Sequence, residues 1–469
     1  KDGQNVTQFI TKEEDTNEAI IRGRLRSIPA KVTICHASDS HSNPYITHTP
    51  SANGHVDGHN GHNGPIWYPG INEDWGDIIP EFRYFDSNGD VKVYAGKNNT
   101  EYGLSILANN CQFPEGKITV SKKIVAPAEV AESFDITGTG THSVEGFPSA
   151  FNGFKGTNTG TVSPSTPVTF DVYPGKYTFE ETLKDGWIET YNDCKNVVVE
   201  NGDNKTCTIQ NTKASKLTII KHAEQPGNTS FDFTATGTGL SNFSLVDNST
   251  STDPEKVFTN LLPGNYSITE NSKEGWYLKS ATCNNDQSPD ALTLTAGSNV
   301  ICTFTNTKYG SLTIVKDAKP SSTQEFSFTT GTGLSDFTLV DNSDTGNPSK
   351  KFENLLAGTY SVAETVPGDW YLDSNICSDG SPITAIDLSA GEDITCTFKN
   401  IKYGSISGHK YHDLDGSAST SGDQYAVSGY TIFIDTNNNG ELDAGEPSTT
   451  TGTDGSYSFT NLKPGTYKI

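Results

Sequence analysis

The sequence has no methionine, few basic residues and no long apolar run. Its 33 Lys and Arg residues stand against 57 Asp and Glu residues, which gives a formal net charge of −24. A chain this acidic repels phosphate backbones, so we expect no binding to nucleic acid. No stretch approaches the roughly 20 apolar residues that span a membrane, so we expect no membrane insertion. Because methionine is absent and the chain starts at Lys1, we expect a secreted protein whose signal peptide has been removed.

Cysteine is sparse, and its 8 residues fall two to a segment. None stands in a CxxC spacing, which argues against a zinc ribbon or a thioredoxin-type site. An even number of locally placed cysteines predicts disulfide bonds and an extracellular or cell-surface location, whereas free thiols would require a reducing compartment. The predicted disulfide bonds are Cys35–Cys111, Cys194–Cys207, Cys283–Cys302 and Cys377–Cys396.

Three segments repeat one pattern of strands and turns. Each opens on alternating apolar and polar residues, as in Lys117–Lys122, and later has a Gly-x-Tyr turn followed by a tryptophan. Alternation with period two and frequent turns predict an all-β protein of tandem Greek-key (transthyretin/Ig-like) β-sandwich domains in a row. The predicted divisions are an N-terminal extension (1–30), a His-rich Cys–His domain (31–116, "segment one"), β-sandwich repeats 1, 2 and 3 (117–214, 215–309, 310–403) and a last β-sandwich (404–469, "the terminal domain").

Three polar residues occupy equivalent positions in every repeat. A lysine closes the first strand, a glutamate follows the turn, and an asparagine closes the last strand. If these side chains meet in a dry core, burial favours the neutral amine and a protonated glutamate can move protons, so lysine and asparagine can condense with loss of ammonia. The alternative is that these residues are exposed at strand ends. The candidate triads are Lys122, Glu181, Asn211; Lys221, Glu270, Asn306; and Lys316, Glu364, Asn400.

Two stretches of repeat 1 carry a family resemblance. Ile118–Lys123 and Pro174–Thr182 resemble matching strands of Cna-B-type adhesin and pilin domains, and the resemblance covers residues 117 to 403. It implies a prealbumin-like sandwich and, in each triad, a Lys–Asn isopeptide bond promoted by the glutamate. The cysteine pairs depart from that family's pattern, so a disulfide bond could instead take the place of the isopeptide bond.

The terminal domain contains a 12-residue acidic loop, 435–446. Carboxylate and amide oxygens stand at positions 1, 3, 5, 9 and 12, Gly440 at position 6 allows the sharp turn, and Glu441 offers its carbonyl at position 7. The loop predicts a structural calcium ion, and this segment resembles the B domains of serine-aspartate-repeat adhesins. A solvated acidic turn is the alternative. The predicted ligands are Asp435, Asn437, Asn439, Glu441, Asp443 and Glu446, with Asp413, Asp415 and Asp454 as further candidates.

Histidines cluster in segment one, at His36, His41, His48, His55, His59 and His62. The spacing of His55, His59 and His62 suits zinc or copper, although the surrounding glycines indicate a loop without a fixed scaffold. An ordered surface loop without metal is the alternative. Val32–His36 and Gly76–Pro80 resemble parts of a small Cys–His domain of bacterial secreted proteins.

The two ends of the chain suggest how subunits could join. The terminal domain stops shortly after its Pro-Gly-x-Tyr turn, so we expect it to lack one or more strands. At the other end of the chain, Asn5–Ile10 is predicted to be a strand without a partner in the next segment, which could pair with the open edge of another subunit. Head-to-tail strand donation would give filaments. The predicted function is a structural, non-enzymatic subunit of an extracellular filament or surface appendage that self-associates. The alternative is a monomeric cell-surface adhesin stalk whose tip, residues 31–116, binds an unknown ligand.

Overall fold

The structure is a computed structural model, and it describes residues 28–53, 61–128, 130–142, 148, 151–343, 346–414, 416–417 and 424–469. The chain divides into two compact units, of which one ends at Ala214 and the other begins at Ser215. Strands dominate both units. Within the described ranges, no helix has the length and apolar character needed to cross a membrane.

The described residues of segment one include two short hairpins and the helix Glu101–Ala108. Its helix α1 begins after Thr100, whose hydroxyl accepts a hydrogen bond from the Gly103 amide at 3.1 Å and so caps the first turn. Strand β1 pairs with β2, and β3 pairs with β4, both antiparallel. The elements are β1 (Ile34–Ala37), β2 (Tyr45–His48), β3 (Phe82–Phe85), β4 (Val91–Tyr94) and α1 (Glu101–Ala108).

Repeat 1 is a sandwich of two four-stranded sheets. The sheet orders are β10-β12-β5-β8 and β11-β9-β6-β7. Alternate residues of β5 are buried, as the period of its sequence predicts, and they pack against apolar side chains of the second sheet. The strands are β5 (Gly116–Val125), β6 (Phe134–His142), β7 (Thr159–Val162), β8 (Val168–Val172), β9 (Gly175–Glu181), β10 (Trp187–Asn192), β11 (Val197–Val199) and β12 (Asn204–Lys213).

Repeat 2 has the same two-sheet plan. Its sheets have the orders β16-β13-β20-β18 and β15-β14-β17-β19, and one apolar core lies between them. A short 3-10 helix, Pro289–Ala291, precedes β19. The strands are β13 (Ser215–Ala223), β14 (Ser230–Thr236), β15 (Phe243–Val246), β16 (Glu255–Leu261), β17 (Gly264–Glu270), β18 (Trp276–Cys283), β19 (Leu292–Leu294) and β20 (Asn299–Lys308).

Repeat 3 differs from repeat 2 in its second sheet. The first sheet is β24-β21-β29-β27, whereas the second divides into β23-β22-β26 and the pair β25-β28. One core again joins the layers. The strands are β21 (Gly310–Lys319), β22 (Glu325–Thr330), β23 (Phe337–Val340), β24 (Ser349–Leu355), β25 (Gly358–Tyr360), β26 (Val362–Thr365), β27 (Trp370–Cys377), β28 (Ile386–Leu388) and β29 (Asp393–Lys402).

In the described part of the terminal domain, the strands form separate two-stranded sheets. The pairs are β30 with β35, β31 with β32, and β33 with β34. Its buried apolar side chains include Ile434 and Phe459. The strands are β30 (Gly404–His409), β31 (Tyr411–Asp413), β32 (Gln424–Ala426), β33 (Thr431–Phe433), β34 (Ser448–Thr450) and β35 (Ser456–Leu462). The predicted all-β architecture of tandem sandwiches is confirmed.

Candidate cross-linking sites

The lysine and the asparagine of each repeat lie on neighbouring strands that run parallel. In repeat 2, Lys221 of β13 lies opposite Phe304 of β20, two residues before Asn306. Since residues two apart share a face of a strand, the lysine and asparagine side chains enter the same core. The same register pairs Lys122 with Ile209 in repeat 1 and Lys316 with Phe398 in repeat 3.

The sequence suggested that each lysine is the last residue of its strand, but the structure shows that it is not. Each first strand continues beyond the lysine because its next residues still pair with the last strand; Ala223, for example, lies opposite Asn306. The lysine therefore lies within the paired part of the strand, and the residues on both sides of it also pair with the last strand. The three first strands end at Val125, Ala223 and Lys319.

In repeat 2 the three predicted side chains meet in the core. The Lys221 Nζ lies 2.9 Å from the Asn306 Oδ1 and 4.0 Å from the Glu270 Oε2. The Asn306 Nδ2 donates a hydrogen bond to the Glu270 Oε1. The Lys221 amine also donates to the carbonyl oxygens of His222 at 2.9 Å and Phe304 at 3.4 Å. Glutamate thus contacts the amide nitrogen, while lysine contacts the amide oxygen.

Repeat 3 reproduces the contact between the lysine amine and the asparagine oxygen. The Lys316 Nζ lies 2.8 Å from the Asn400 Oδ1 and 3.5 Å from the Glu364 Oε1. It also donates to the Phe398 carbonyl oxygen at 3.2 Å. Repeats 2 and 3 therefore share the lysine–asparagine hydrogen bond, with the glutamate within 4.0 Å of the lysine amine in both.

In repeat 1 the glutamate stands between the other two groups. The Lys122 Nζ donates to the Glu181 Oε2, and the Asn211 Nδ2 donates to the Glu181 Oε1. The structure therefore brings together every residue of the three predicted triads, with a direct lysine–glutamate ion pair in repeat 1.

All three triads are buried, and burial shifts their acid–base equilibria. The lysine side chains are 0% exposed, and Glu181, Glu270 and Glu364 are at most 2% exposed. Loss of hydration disfavours the charged form and lowers the pKa of Lys221 to about 8, although nearby carboxylates oppose the change. Burial likewise lowers the pKa of Lys122 and Lys316. It raises the pKa of the Glu270 and Glu364 carboxyls.

Each lysine amine is covered by a phenylalanine that packs on a tryptophan, a pair called here the aromatic wall. These aromatic residues are not among the site residues predicted from the sequence. In repeat 2 the Lys221 Nζ lies 4.1 Å from the ring centroid of Phe231, and that ring packs edge-to-face on Trp276. The rings exclude water, and their negative faces attract the amine. A phenylalanine at the start of each second strand is the signal that could have revealed this wall. The equivalent pairs are Phe134 with Trp187 and Phe326 with Trp370.

This arrangement has the groups that amide exchange requires. A buried lysine with a lowered pKa is more readily a neutral nucleophile, and the asparagine amide supplies the carbonyl carbon. A buried carboxyl beside the amide nitrogen can take up one proton and deliver another. The geometry is therefore suited to an intramolecular condensation within each repeat.

All eight cysteines are paired, and the pairing is the one predicted from their spacing. In repeat 2, Cys283 lies directly opposite Cys302 on antiparallel β18 and β20. Cys302 and Asn306 share β20, so the disulfide bond and the triad hold the same strand from different neighbours. Each repeat thus holds both a disulfide bond and a buried Lys–Glu–Asn triad.

The polar side chains of the acidic loop hydrogen-bond to one another and to the backbone amides of the loop. The Asp443 Oδ2 accepts hydrogen bonds from the Asn437 Nδ2 at 2.6 Å and the Asn439 Nδ2 at 2.7 Å. Asp435 is buried, and its carboxylate accepts the backbone amides of Asn439 and Gly440. Gly440 has a φ of +82°, which suits glycine at the turn. This oxygen-rich donor set fits a hard cation such as Ca²⁺.

Glu441 and Glu446 belong to the same loop. The Glu446 carboxylate accepts the backbone amides of Thr436 at 2.7 Å and Asp443 at 3.0 Å, which closes the loop. The backbone amide of Glu441 donates to the Asn439 Oδ1 at 2.7 Å. Of the further candidates, Asp413 accepts the Gly416 amide, Asp454 accepts the amide and hydroxyl of Ser456, and Asp415 lies outside the described residues.

The predicted transition-metal triad is described only in part. His55 and His59 lie outside the described residues, as does the predicted donor strand Asn5–Ile10. His62 is described, and it contacts His36 and Asp77. Sequence spacing could not indicate this cluster, because Asp77 and His36 are distant along the chain.

Comparison with known proteins identifies the type of the repeats. Residues 217–308 and 312–402, which lie in repeats 2 and 3, each match the family described as the prealbumin-like fold domain. The protein is thus an all-β chain with tandem sandwiches of prealbumin-like fold. That part of the predicted resemblance is confirmed. The predicted resemblances of segment one and of the terminal domain stay predictions. No curated protein matches the sequence.

Several solved structures are similar at low sequence identity. The Bacillus anthracis TIE protein is 16% identical over 79% of this chain and 72% of its own, with a TM-score of 0.27. BcpA, the major pilin subunit of Bacillus cereus, is 14% identical over 61% of this chain and 99% of its own, with a TM-score of 0.27. The pilus adhesin SpaC from Lactobacillus rhamnosus GG is 11% identical over 71% of this chain and 48% of its own, with a TM-score of 0.24.

Proposed function

We propose that this protein is a structural, non-enzymatic subunit of an extracellular filament or surface appendage. The observation that carries the proposal is the recurrence of one buried Lys–Glu–Asn triad in three consecutive sandwiches. Buried charged residues are rare unless they serve a purpose, because their dehydration costs several kcal/mol each. Three copies beside three disulfide bonds suit a chain selected to stay folded outside the cell.

We propose further that each triad forms an isopeptide bond. The neutral lysine Nζ attacks the asparagine Cγ, so a new Nζ–Cγ bond forms and the Cγ–Nδ2 bond breaks. The glutamate accepts a proton from the amine and returns a proton to the departing nitrogen, which leaves as ammonia. The hydrogen bond from the Asn306 Nδ2 to Glu270 supports this role, because it places the carboxyl at the leaving group.

Subunits of a filament need a means of joining end to end. We infer that Asn5–Ile10 of one subunit adds a strand to the terminal domain of the next. The two-by-two pairing of the described strands in that domain supports the inference, since the repeats have sheets of up to four strands. The competing function is a monomeric cell-surface stalk in which segment one binds a ligand.

Electron microscopy of the purified full chain tests the proposed assembly. We expect filaments from the intact chain and separate particles after deletion of residues 1–30. A double substitution, Val6→Lys with Ile10→Lys, should act like the deletion, because it places charge on one face of the donor strand. Lys12→Gln is the matched control and should leave filaments intact. Separate particles in every sample would contradict strand donation and favour the stalk.

We also propose that the loop 435–446 holds a structural calcium ion. Removing calcium with a chelator should then loosen the terminal domain, because a ligand at about 100 times its dissociation constant stabilises the folded state by roughly 2.7 kcal/mol. Hydrogen exchange of residues 424–469 in the full chain should accelerate by about 100-fold for globally protected amides. Asp443→Ala should abolish the response to calcium, whereas Glu353→Gln, at an exposed site in repeat 3, should preserve it. Equal exchange with and without calcium would contradict the proposal.

A further inference from the structure

Two histidines from separate parts of segment one meet at one buried carboxylate. The Nδ1 of His36 lies 3.1 Å from the Oδ1 of Asp77, and the Nδ1 of His62 lies 3.5 Å from the same oxygen. The two imidazole rings are 4.6 Å apart between centroids. One ligand atom from each residue lies within 4.8 Å of the other two.

The disulfide-bonded β1 strand fixes the position of His36. Its neighbour Cys35 exchanges both backbone hydrogen bonds with Ile78, at 3.0 and 2.9 Å, and is bonded to Cys111. Because His36 follows Cys35 and Asp77 precedes Ile78, this bridge holds the two functional side chains side by side. His36 and Asp77 are thus held together by the disulfide-bonded part of segment one.

The position of Asp77 is also set by its surroundings. Its side chain is 0% exposed, and its Oδ1 accepts the Ala37 amide at 2.8 Å. The Asn98 Nδ2 donates to the Asp77 carbonyl oxygen at 2.9 Å, and the Asp77 amide donates to the His62 carbonyl oxygen at 3.4 Å. Outer hydrogen bonds of this kind orient carboxylates that bind metals.

We propose that His36, His62 and Asp77 form a zinc site. Two imidazole nitrogens and one carboxylate oxygen suit Zn²⁺, whereas Ca²⁺ and Mg²⁺ prefer oxygen ligands alone. Zinc–ligand distances of about 2.0–2.1 Å place the ligand atoms of a tetrahedral site roughly 3.3 Å apart. The two measured separations, 3.1 and 3.5 Å, lie on either side of that value.

The site has a closed side and an open side. Asp77 is fully buried, but the side chains of His36 and His62 are 33% and 44% exposed. An ion can therefore reach these side chains from solvent. The site differs from the predicted triad of His55, His59 and His62, because two of its three ligands come from outside that loop.

Zinc binding by the full chain tests the proposal. The chelator-treated protein is titrated with ZnCl₂ by calorimetry in excess calcium, which occupies sites made of oxygen ligands alone. Co²⁺ in place of zinc should give the visible absorption of a tetrahedral centre. We expect His36→Ala and His62→Ala each to weaken zinc binding at least about tenfold. His41→Ala is the matched control, since His41 is exposed and packs on Trp75 instead, and it should bind zinc like the wild type.

The outcomes separate this site from its alternatives. Wild-type affinity in both His36→Ala and His62→Ala would overturn the proposal. Loss of binding in His55→Ala and His59→Ala, with normal binding in His36→Ala, would also overturn it in favour of the glycine-rich loop. Circular dichroism of the zinc-free variants shows whether they fold, and the partly exposed His62 provides a second variant if His36→Ala misfolds.

Discussion

Replacing Glu270 with glutamine is expected to restore the mass of one ammonia molecule, when the mass of each chain is compared with the mass of its own sequence. After reduction of the disulfide bonds, the wild-type chain should be lighter than its sequence by three ammonia molecules, one for each triad. Glu270→Gln keeps the shape of the side chain but removes the carboxyl that transfers protons, so the bond of repeat 2 should not form. Intact-mass spectrometry measures the difference, and peptide mapping locates the bond between Lys221 and Asn306.

The same variant should lose much of the stability of repeat 2. Lys221 and Asn306 are 85 residues apart in sequence, and a cross-link that closes a loop of this size contributes roughly 4–5 kcal/mol by the chain-entropy argument. Hydrogen exchange within residues 215–309 reports that loss in the full chain.

Repeat 1 offers the matched control for the missing bond. Glu181 and Glu180 are adjacent, but the Glu180 side chain is on the exposed face of β9. Compared with the mass of its own sequence, Glu181→Gln should lack two ammonia molecules. Glu180→Gln should lack all three, like the wild type. A wild-type mass equal to that of the uncondensed sequence would show that the triads are only non-covalent clusters.

Loss of the Cys35–Cys111 bond is expected to have the largest effect of any disulfide removal. This bond joins residues 76 apart, whereas Cys377 and Cys396 are only 19 apart. The chain-entropy argument gives a loss of about 4.5 kcal/mol for the first and about 3 kcal/mol for the second. Segment one is also small, with two modest apolar clusters, so it depends strongly on its cross-link.

The test compares two double-serine variants by hydrogen exchange in the full chain. Cys35→Ser with Cys111→Ser should unprotect residues 31–113, whereas Cys377→Ser with Cys396→Ser should leave repeat 3 folded, because its core and its triad remain. The prediction is wrong if repeat 3 loses more protection than segment one. The first variant should also bind zinc weakly, since Cys35 positions His36.

The repeats could be interpreted from the sequence because the same residue types recur at equivalent positions in three copies. Lys221, Glu270 and Asn306 are far apart in the chain, yet each recurs at the same place relative to a turn or a cysteine. That recurrence links residues which no single spacing rule connects, and the strand period then indicates the buried face. The two-sheet fold follows from the same alternation.

Other features could not be derived this way. His36 and Asp77 occur once, so no internal copy shows that they belong together, and their meeting depends on the bridge between Cys35 and Ile78. The aromatic wall was missed for a different reason. Phe231 stands in a strand whose alternation already explains an apolar residue, so only the recurrence of a phenylalanine there in each repeat marks its contact with the Lys221 amine.

The parallel pairing of the first and last strands determines how a repeat responds to a pull on its ends. In repeat 1 the chain enters through β5 and leaves through β12, and these two ends lie at opposite ends of one parallel ladder. Tension along the chain therefore shears the ladder, so its hydrogen bonds must break together rather than one after another. With Lys122 and Asn211 joined, tension would pass directly between the two strands, and most of the sandwich would carry none of it.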